Sequence, residues 1–362
     1  MGSARVRPES VRAPQVLGLR THAPARRPSE AGFSLLEMMI ATVILSVIFA
    51  QVALVIVSVG RTQRTGERRT DMVDSLRRAI DLIASETRNA GFMIPRYAAV
   101  SSVDGGSTSP DRFCVSDSTY FDLPAPGSGA GSSLDGRVSR FSGSSVSALG
   151  STTFTLDTLN VDEFGGDDYV SGKGIIVAQS DGAPSASFPA KGIATHCARI
   201  ASIDATSRRV TLETLHAIPG GVFSSTSNVI AVPAHVYEID ANTTSLRRNG
   251  ALLSGLIEDL QIEYWIDSLG SPDGKEDASG AEFPIHDINA MPLATRDSAR
   301  IRRVRISLIG RPEQREDKPG VQLRPPLGNR AAGQQDGFQR QQLSVCLLPT
   351  NLLEPDAYPG IP

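Results

Sequence analysis

Residues 32–59 read GFSLLEMMIATVILSVIFAQVALVIVSV, and this stretch organises the rest of the chain. From Met38 to Val59 there is neither a charge nor a proline. At 1.5 Å per residue the run makes a helix roughly 33 Å long, enough to cross the hydrocarbon core of a bilayer. A secretory signal peptide has a shorter apolar core, roughly 7 to 15 residues, with a small-residue cleavage site behind it. Here SVGRTQRTGERR follows from Ser58, so a single transmembrane helix is expected. One carboxylate, Glu37, sits just inside its start. An ionisable group at membrane depth is costly, so it marks a functional role.

Upstream, residues 1–32 carry six arginines against Glu9 and Glu30, which leaves 30 basic and 37 acidic residues in the remainder. A basic head before an apolar span keeps the head cytoplasmic and sends the remainder across the membrane. The acidic remainder has no overall bias toward nucleic acid, and none is expected as a partner. With 40% apolar and 21% charged residues, the chain as a whole has the composition of a folded protein.

Downstream, the helical pattern continues in polar form. Met72, Val73, Leu76, Ile80 and Ile83 recur three or four residues apart, with Asp74, Arg77, Arg78, Asp81 and Arg88 between them. Such a stripe needs a surface to pack on. Gly91 is placed to cap the helix and Pro95 prevents its resumption, so a helix from Phe33 to about Ala90 is expected. Gly60 and Gly66 are its weak points, each costing up to about 1 kcal/mol relative to alanine.

The residues GFSLLEMMIA resemble the type IV prepilin processing motif, in which a glycine precedes an apolar residue and a glutamate stands fifth after the cut. The resemblance implies cleavage between Gly32 and Phe33 by a prepilin peptidase, N-methylation of Phe33, and a role for Glu37 in assembly. The leader departs from the family in its length and in having PSEA directly before Gly32. Opposite charges on the Phe33 ammonium and on Glu37 of the same or a neighbouring subunit would offset part of each other's desolvation. Within that class, RRAIDLIASETRNAGF resembles a stretch of PilW-like minor pilins. Arg78, Ala79, Arg88, Ala90, Gly91 and Phe92 match, while Glu86-Thr87 replaces the usual Asp-Leu or Asp-Ile pair. LLSGLIEDLQIEYWID, ARIRRVRISLIGR and FQRQQLSVCLLPTNL look like that family's late strands, and the likeness fails between about residues 97 and 170.

The expected organisation is therefore a cleaved leader (1–32), a transmembrane half-helix (33–60), an amphipathic half-helix (61–91) and a β-rich periplasmic or extracellular domain (92–362). Alternation at Leu260, Ile262, Tyr264 and Ile266, and at Val304, Ile306 and Leu308, predicts strands with one buried face. Ile200 to Leu215 reads as a hairpin turning at residues 204–207, with Val210 and Leu212 on one face. A long helix whose stripe covers antiparallel strands gives an α+β class. Gly-, Ser- and Pro-rich stretches after Pro95 read as loops, and Gly310–Asp336 as one long exposed connection.

His22, His196, His216, His235 and His286 show no ligand spacing, and no metal or cofactor is expected. His196 beside Cys197 is the one suggestive nucleophilic pair, without a readable oxyanion site. GGDDYVSGKG, residues 165–174, lacks the glycine and hydroxyl residue of a phosphate loop and reads as a turn entering the strand IIVA. Asp267–Asp277 is rich in carboxylates but misses the EF-hand register. The basic cluster RIRRVR places Arg303 and Arg305 on a strand's solvent face. No catalytic residues are expected. Cys114, Cys197 and Cys346 permit three single disulfides in an oxidising compartment. Alternation in LSVCLL turns Cys346 away from its apolar neighbours, which favours Cys114 with Cys197, both flanking irregular polar segments.

The resemblance implies a minor pilin acting in the priming of a type IV pilus near its tip, anchored in the inner membrane with its body in the periplasm and then on the cell surface. Its partners would be the prepilin peptidase, other minor and major pilins, the inner-membrane assembly platform and membrane lipid. The alternatives are a J-type minor pseudopilin of type II secretion and a membrane-anchored envelope enzyme.

Overall fold

A computed structural model describes residues 32–91, 94, 96–117, 153–157, 170–180, 192–204, 206, 209–213, 229–240, 242–266, 284–291, 298–314, 323–333 and 336–349. The leader before Gly32, Phe92, His216, the Asp267–Asp277 stretch and most of the Gly-Ser-rich segment lie outside them. The chain divides into two compact units, Met1–Thr62 and Gln63–Pro362.

One helix, α1 (Leu35–Asn89), contributes to both units. In the first unit its apolar residues are all exposed, from Leu35 to Val59. In the second it buries Met72, Leu76, Ala79, Ile80, Ile83, Ala84 and Thr87. This is the expected stripe, except that Val73 is half-buried at its border. Small Ala79 and Ala84 complete it. The helix ends where Gly91 adopts φ +83°, a left-handed conformation that costs glycine no Cβ clash. The Gly91 N–H donates to Ser116 Oγ at 3.0 Å, which ties the helix end to a strand.

Twelve strands follow among the described residues, all paired antiparallel. They are β1 (Val100–Val103), β2 (Arg112–Ser116), β3 (Thr153–Asp157), β4 (Gly174–Ser180), β5 (Gly192–Asp204), β6 (Arg209–Glu213), β7 (Val229–Asp240), β8 (Ser245–Arg248), β9 (Ala251–Ser254), β10 (Ile257–Ile266), β11 (Ile301–Gly310) and β12 (Gln341–Leu347). The larger sheet runs β1-β2-β7-β4-β5-β6-β3, with β8 on β7 and β9 on β8. The smaller is a meander, β10-β11-β12. The fold is α+β, a long amino-terminal helix packed with antiparallel sheets.

The main core joins the helix to both sheets. Leu76, Ile80 and Ile83 meet Ile262, Tyr264, Val304 and Ile306 of the smaller sheet and Phe113, Tyr237 and Leu246 of the larger. At Gly310 an added Cβ would come within 2.9 Å of the Leu76 side chain, so glycine sets how closely the helix approaches β11. A second core lies within the larger sheet, where Ile175, Ala198, Val210 and Leu212 are sealed from solvent.

The structure departs from two expectations. β10 is buried on both faces, because Asp259, Gln261 and Glu263 lie beneath other chain while Leu260, Ile262 and Tyr264 face the core. The cover includes residues from the connection after Gly310. Far from being wholly exposed, its described part buries Leu327 and sends Arg324 and Arg330 to Asp259 at 2.8 and 2.7 Å. Polar composition misled here, since a buried carboxylate selects guanidinium partners rather than apolar ones. β5 and β6 form the expected hairpin, with Asp204 paired to Arg209, and the turn positions 205, 207 and 208 lie outside the described residues. Segment 170–173 is the expected turn before β4.

Candidate functional site

The amino-terminal segment is built from few contacts. Gly32 has no atom within 4 Å of an added Cβ and no positive φ, so nothing in the fold demands glycine there. Phe33 follows with 83% of its surface exposed. Next, Ser34 N–H donates to Glu37 Oε2 at 2.9 Å while Glu37 N–H donates to Ser34 Oγ at 3.2 Å. This reciprocal pair is a capping box, satisfying two of the amides that a helix start leaves without partners. Its signature, Ser-x-x-Glu, stands in the sequence and gives Glu37 a local role beyond the one expected of it. Deeper in the helix, Thr42 and Ser58 hydroxyls donate to Met39 O at 2.9 Å and Val55 O at 2.8 Å. These hydroxyls thus satisfy themselves on the helix, as lipid surroundings require.

In the body, Cys114 of β2 and Cys197 of β5 form a disulfide with Cα atoms 5.5 Å apart. Both are fully buried within strands rather than beside irregular segments. β7 and β4 separate these strands in the sheet order, so the sheet folds over until β2 and β5 approach across it. Cys114 and Cys197 share a small core with Ala98, Ile176, Val232 and Val236. Cys346 is a free, exposed thiol on β12. With Cys197 oxidised, the His196–Cys197 pair holds no nucleophilic thiolate.

Among the described residues, several ionisable groups tie the helix and the strands together. Glu86 accepts from the Tyr237 hydroxyl and pairs with Arg248, fastening the helix end to β7 and β8. Burial raises the Tyr237 hydroxyl pKa. His235 Nε2 lies 2.9 Å from Asp117 and 3.8 Å from Glu86. Arg112 and Arg199 both reach Glu238, at 2.8 and 3.1 Å. His286 sits against Ile262 O at 3.3 Å. Burial holds the Asp259 carboxyl above its usual range although Arg330 and Arg324 pull it down. Arg303 and Arg305 are half-exposed, flanking the Trp265 ring at 5.5 and 4.7 Å, and Arg305 pairs with Glu263 at 3.2 Å. Among the described residues no group of three or more His, Cys, Asp or Glu is placed to hold a metal ion.

Residues 27–50 match the model of the prokaryotic N-terminal methylation motif. No curated protein and no solved structure gives a significant match. The amino terminus therefore carries a type IV prepilin-like signal, of the kind that pilin-like and pseudopilin-like proteins bear. Such a signal implies processing by a prepilin peptidase and assembly with other pilins, a structural role. The exposed apolar helix behind it accords with membrane anchoring.

Proposed function

We propose that the chain is a PilW-like minor pilin, cut between Gly32 and Phe33, N-methylated at Phe33, and incorporated into a small complex that primes a type IV pilus near its tip. The observation that carries the reading is the methylation motif laid directly on a helix whose apolar residues are exposed from Leu35 to Val59. An exposed run of this kind needs lipid or neighbouring helices around it, and a bundle of pilin helices supplies the latter. The leader remains cytoplasmic and the body enters the periplasm, following the arginines before Gly32. Glu37 then partners the terminal ammonium of its own or a neighbouring subunit. The body, some 270 residues after the helix, is too large to tile a slim filament. A J-type minor pseudopilin shares the same signal and helix and is the rival within this machinery. A membrane-anchored envelope enzyme is the rival from another class.

Intact mass of the membrane-extracted protein tests processing: a chain beginning at methylated Phe33 supports the reading, and one still beginning upstream of Gly32 overturns it. Deletion separates the machineries. Loss of surface pili and twitching with secretion intact is expected, whereas lost protein secretion with normal pili would assign the chain to type II secretion. A body substitution that abolished an enzymatic activity while assembly proceeded would favour the enzyme.

A further inference from the structure

The turn between β8 and β9 is tied back to β7 by one residue. Asn249 holds φ +52°, a left-handed conformation that asparagine adopts more readily than most residues because its short polar side chain bonds locally. Its backbone N–H donates to Val236 O at 2.8 Å, and its side-chain Oδ1 accepts from Val236 N–H at 2.8 Å. A backbone N–H can only donate, so the orientation of the Asn249 amide is fixed. The oxygen faces Val236, and Nδ2 lies 3.2 Å from His235 Nδ1.

That orientation decides the state of His235, of which only 8% is exposed. Asn249 Nδ2 has hydrogens and no lone pair to offer, so His235 Nδ1 accepts and the neutral ring carries its proton on Nε2. Nε2–H then meets Asp117 Oδ2 at 2.9 Å, with Glu86 Oε1 at 3.8 Å. Among the described residues these two carboxylates are the charged groups that face the ring, Asp117 from the chain after β2 and Glu86 from α1. Tyr237 of β7 and Arg248 of β8 act on it through Glu86, which both of them bind. Asp117 and Glu86 attract a second proton to the ring, Arg248 opposes it, and Asn249 Nδ2 stands where that proton would go.

We infer that His235 and Asn249 form a proton-operated latch on the β8–β9 turn, closed while the ring is neutral and opened by a proton arriving from solvent at Nδ1. Once Nδ1 bears hydrogen, two donors face each other. Asn249 relieves the clash by turning its amide over, which presents Nδ2 to the Val236 N–H, or by swinging away. Either movement takes the acceptor from the Val236 amide, and Val236 is fully buried, so no water replaces it. Asn249 is then left in a left-handed conformation with less to hold it there. The far side of the ring responds in the opposite sense, since an imidazolium binds Asp117 and Glu86 more strongly than a neutral ring does. Acid thus frees the turn while the end of α1 stays fastened to β7.

Hydrogen exchange of the full chain in detergent, read by mass spectrometry with fragmentation to single amides and corrected for the intrinsic effect of pH, tests the latch. Protection of the Val236 amide should fall on the order of tenfold between about pH 8 and about pH 5, while Ile176 of β4 keeps its protection. His235→Gln removes the titrating ring, and there Val236 should be equally protected at both pH values. Asn249→Asp supplies a carboxylate that accepts from the Val236 N–H and from an imidazolium together, so protection should not fall on acidification. Equal protection in the wild type at the two pH values overturns the inference, as does a fall of the same size in either variant. A fall shared with Ile176 is loss of the whole fold and overturns it too. Spectra of isotope-labelled histidine at the higher pH give a separate check: the signal that disappears in His235→Gln should be that of an Nε2–H tautomer, and an Nδ1–H tautomer overturns the latch.

Discussion

At the start of α1 the Glu37 carboxylate serves the Ser34 amide, so a change to alanine removes a helix cap as well as a charge. Glutamine separates the two, because the capping box accepts Glu or Gln at that position. If Glu37 acts in assembly through its charge, Glu37→Gln and Glu37→Ala should both insert into membrane and be processed at Gly32 while failing to enter the assembled complex. Recovery of sheared pili followed by immunoblotting measures this, and normal incorporation of the glutamine variant would refute the charge pairing. Asp111 offers a second residue-scale test. It is 2% exposed, and burial pushes its carboxyl up to about 8 despite the N–H donors of Gly105 and Ile262, with Asp104 and Asp259 adding repulsion. Because the folded value exceeds the unfolded value of 3.8, the group's contribution to stability is fully present below about pH 4 and is lost as pH rises through about 8. Urea unfolding of the detergent-solubilised chain should show stability falling across that window, with a shallower fall in Asp111→Asn. Equal slopes in the two proteins would count against a buried neutral acid.

Two elements distant in sheet order are joined by the Cys114–Cys197 disulfide, and its effect is on the chain as a connection. The bridge spans 83 residues. In the chain-entropy account, closing a loop of that length lowers the entropy of the unfolded chain by an amount worth between about 4 and 5 kcal/mol. Joint Cys114→Ala and Cys197→Ala substitution should therefore lower the unfolding midpoint by many degrees, and reduction of the wild type should reproduce the shift. Thermal unfolding followed by circular dichroism in the presence and absence of reductant checks this, and a shift also seen in the double variant on reduction would point elsewhere. The Cys114–Cys197 pairing is the one the sequence favoured, but the fold that brings β2 and β5 together was not legible in their residues. Each reads as an apolar strand, and only the path of β7 and β4 between them folds the sheet so that the thiols meet.

Over the whole molecule, the two units should respond differently to truncation of a large apolar side chain. Ile83 is fully buried where the helix meets both sheets, so Ile83→Ala should destabilise the body by about 2–5 kcal/mol. Phe49 is 64% exposed in the first unit, and Phe49→Ala should leave body unfolding unchanged. Denaturant unfolding in detergent compares them, and equal losses would contradict the division. The prepilin-like signal, the membrane-length run, the helix stripe and its Gly91 stop were determined by the sequence alone. Each is a local property, set by spacing along one helix or by residues read in order at one end. The two-sided burial of β10, the docking of Arg324 and Arg330 on Asp259, and the approach of β2 to β5 were decided by tertiary structure. In those places the partner of each residue lies tens to hundreds of positions away, and a polar or alternating pattern says which face a side chain takes without saying what will cover it.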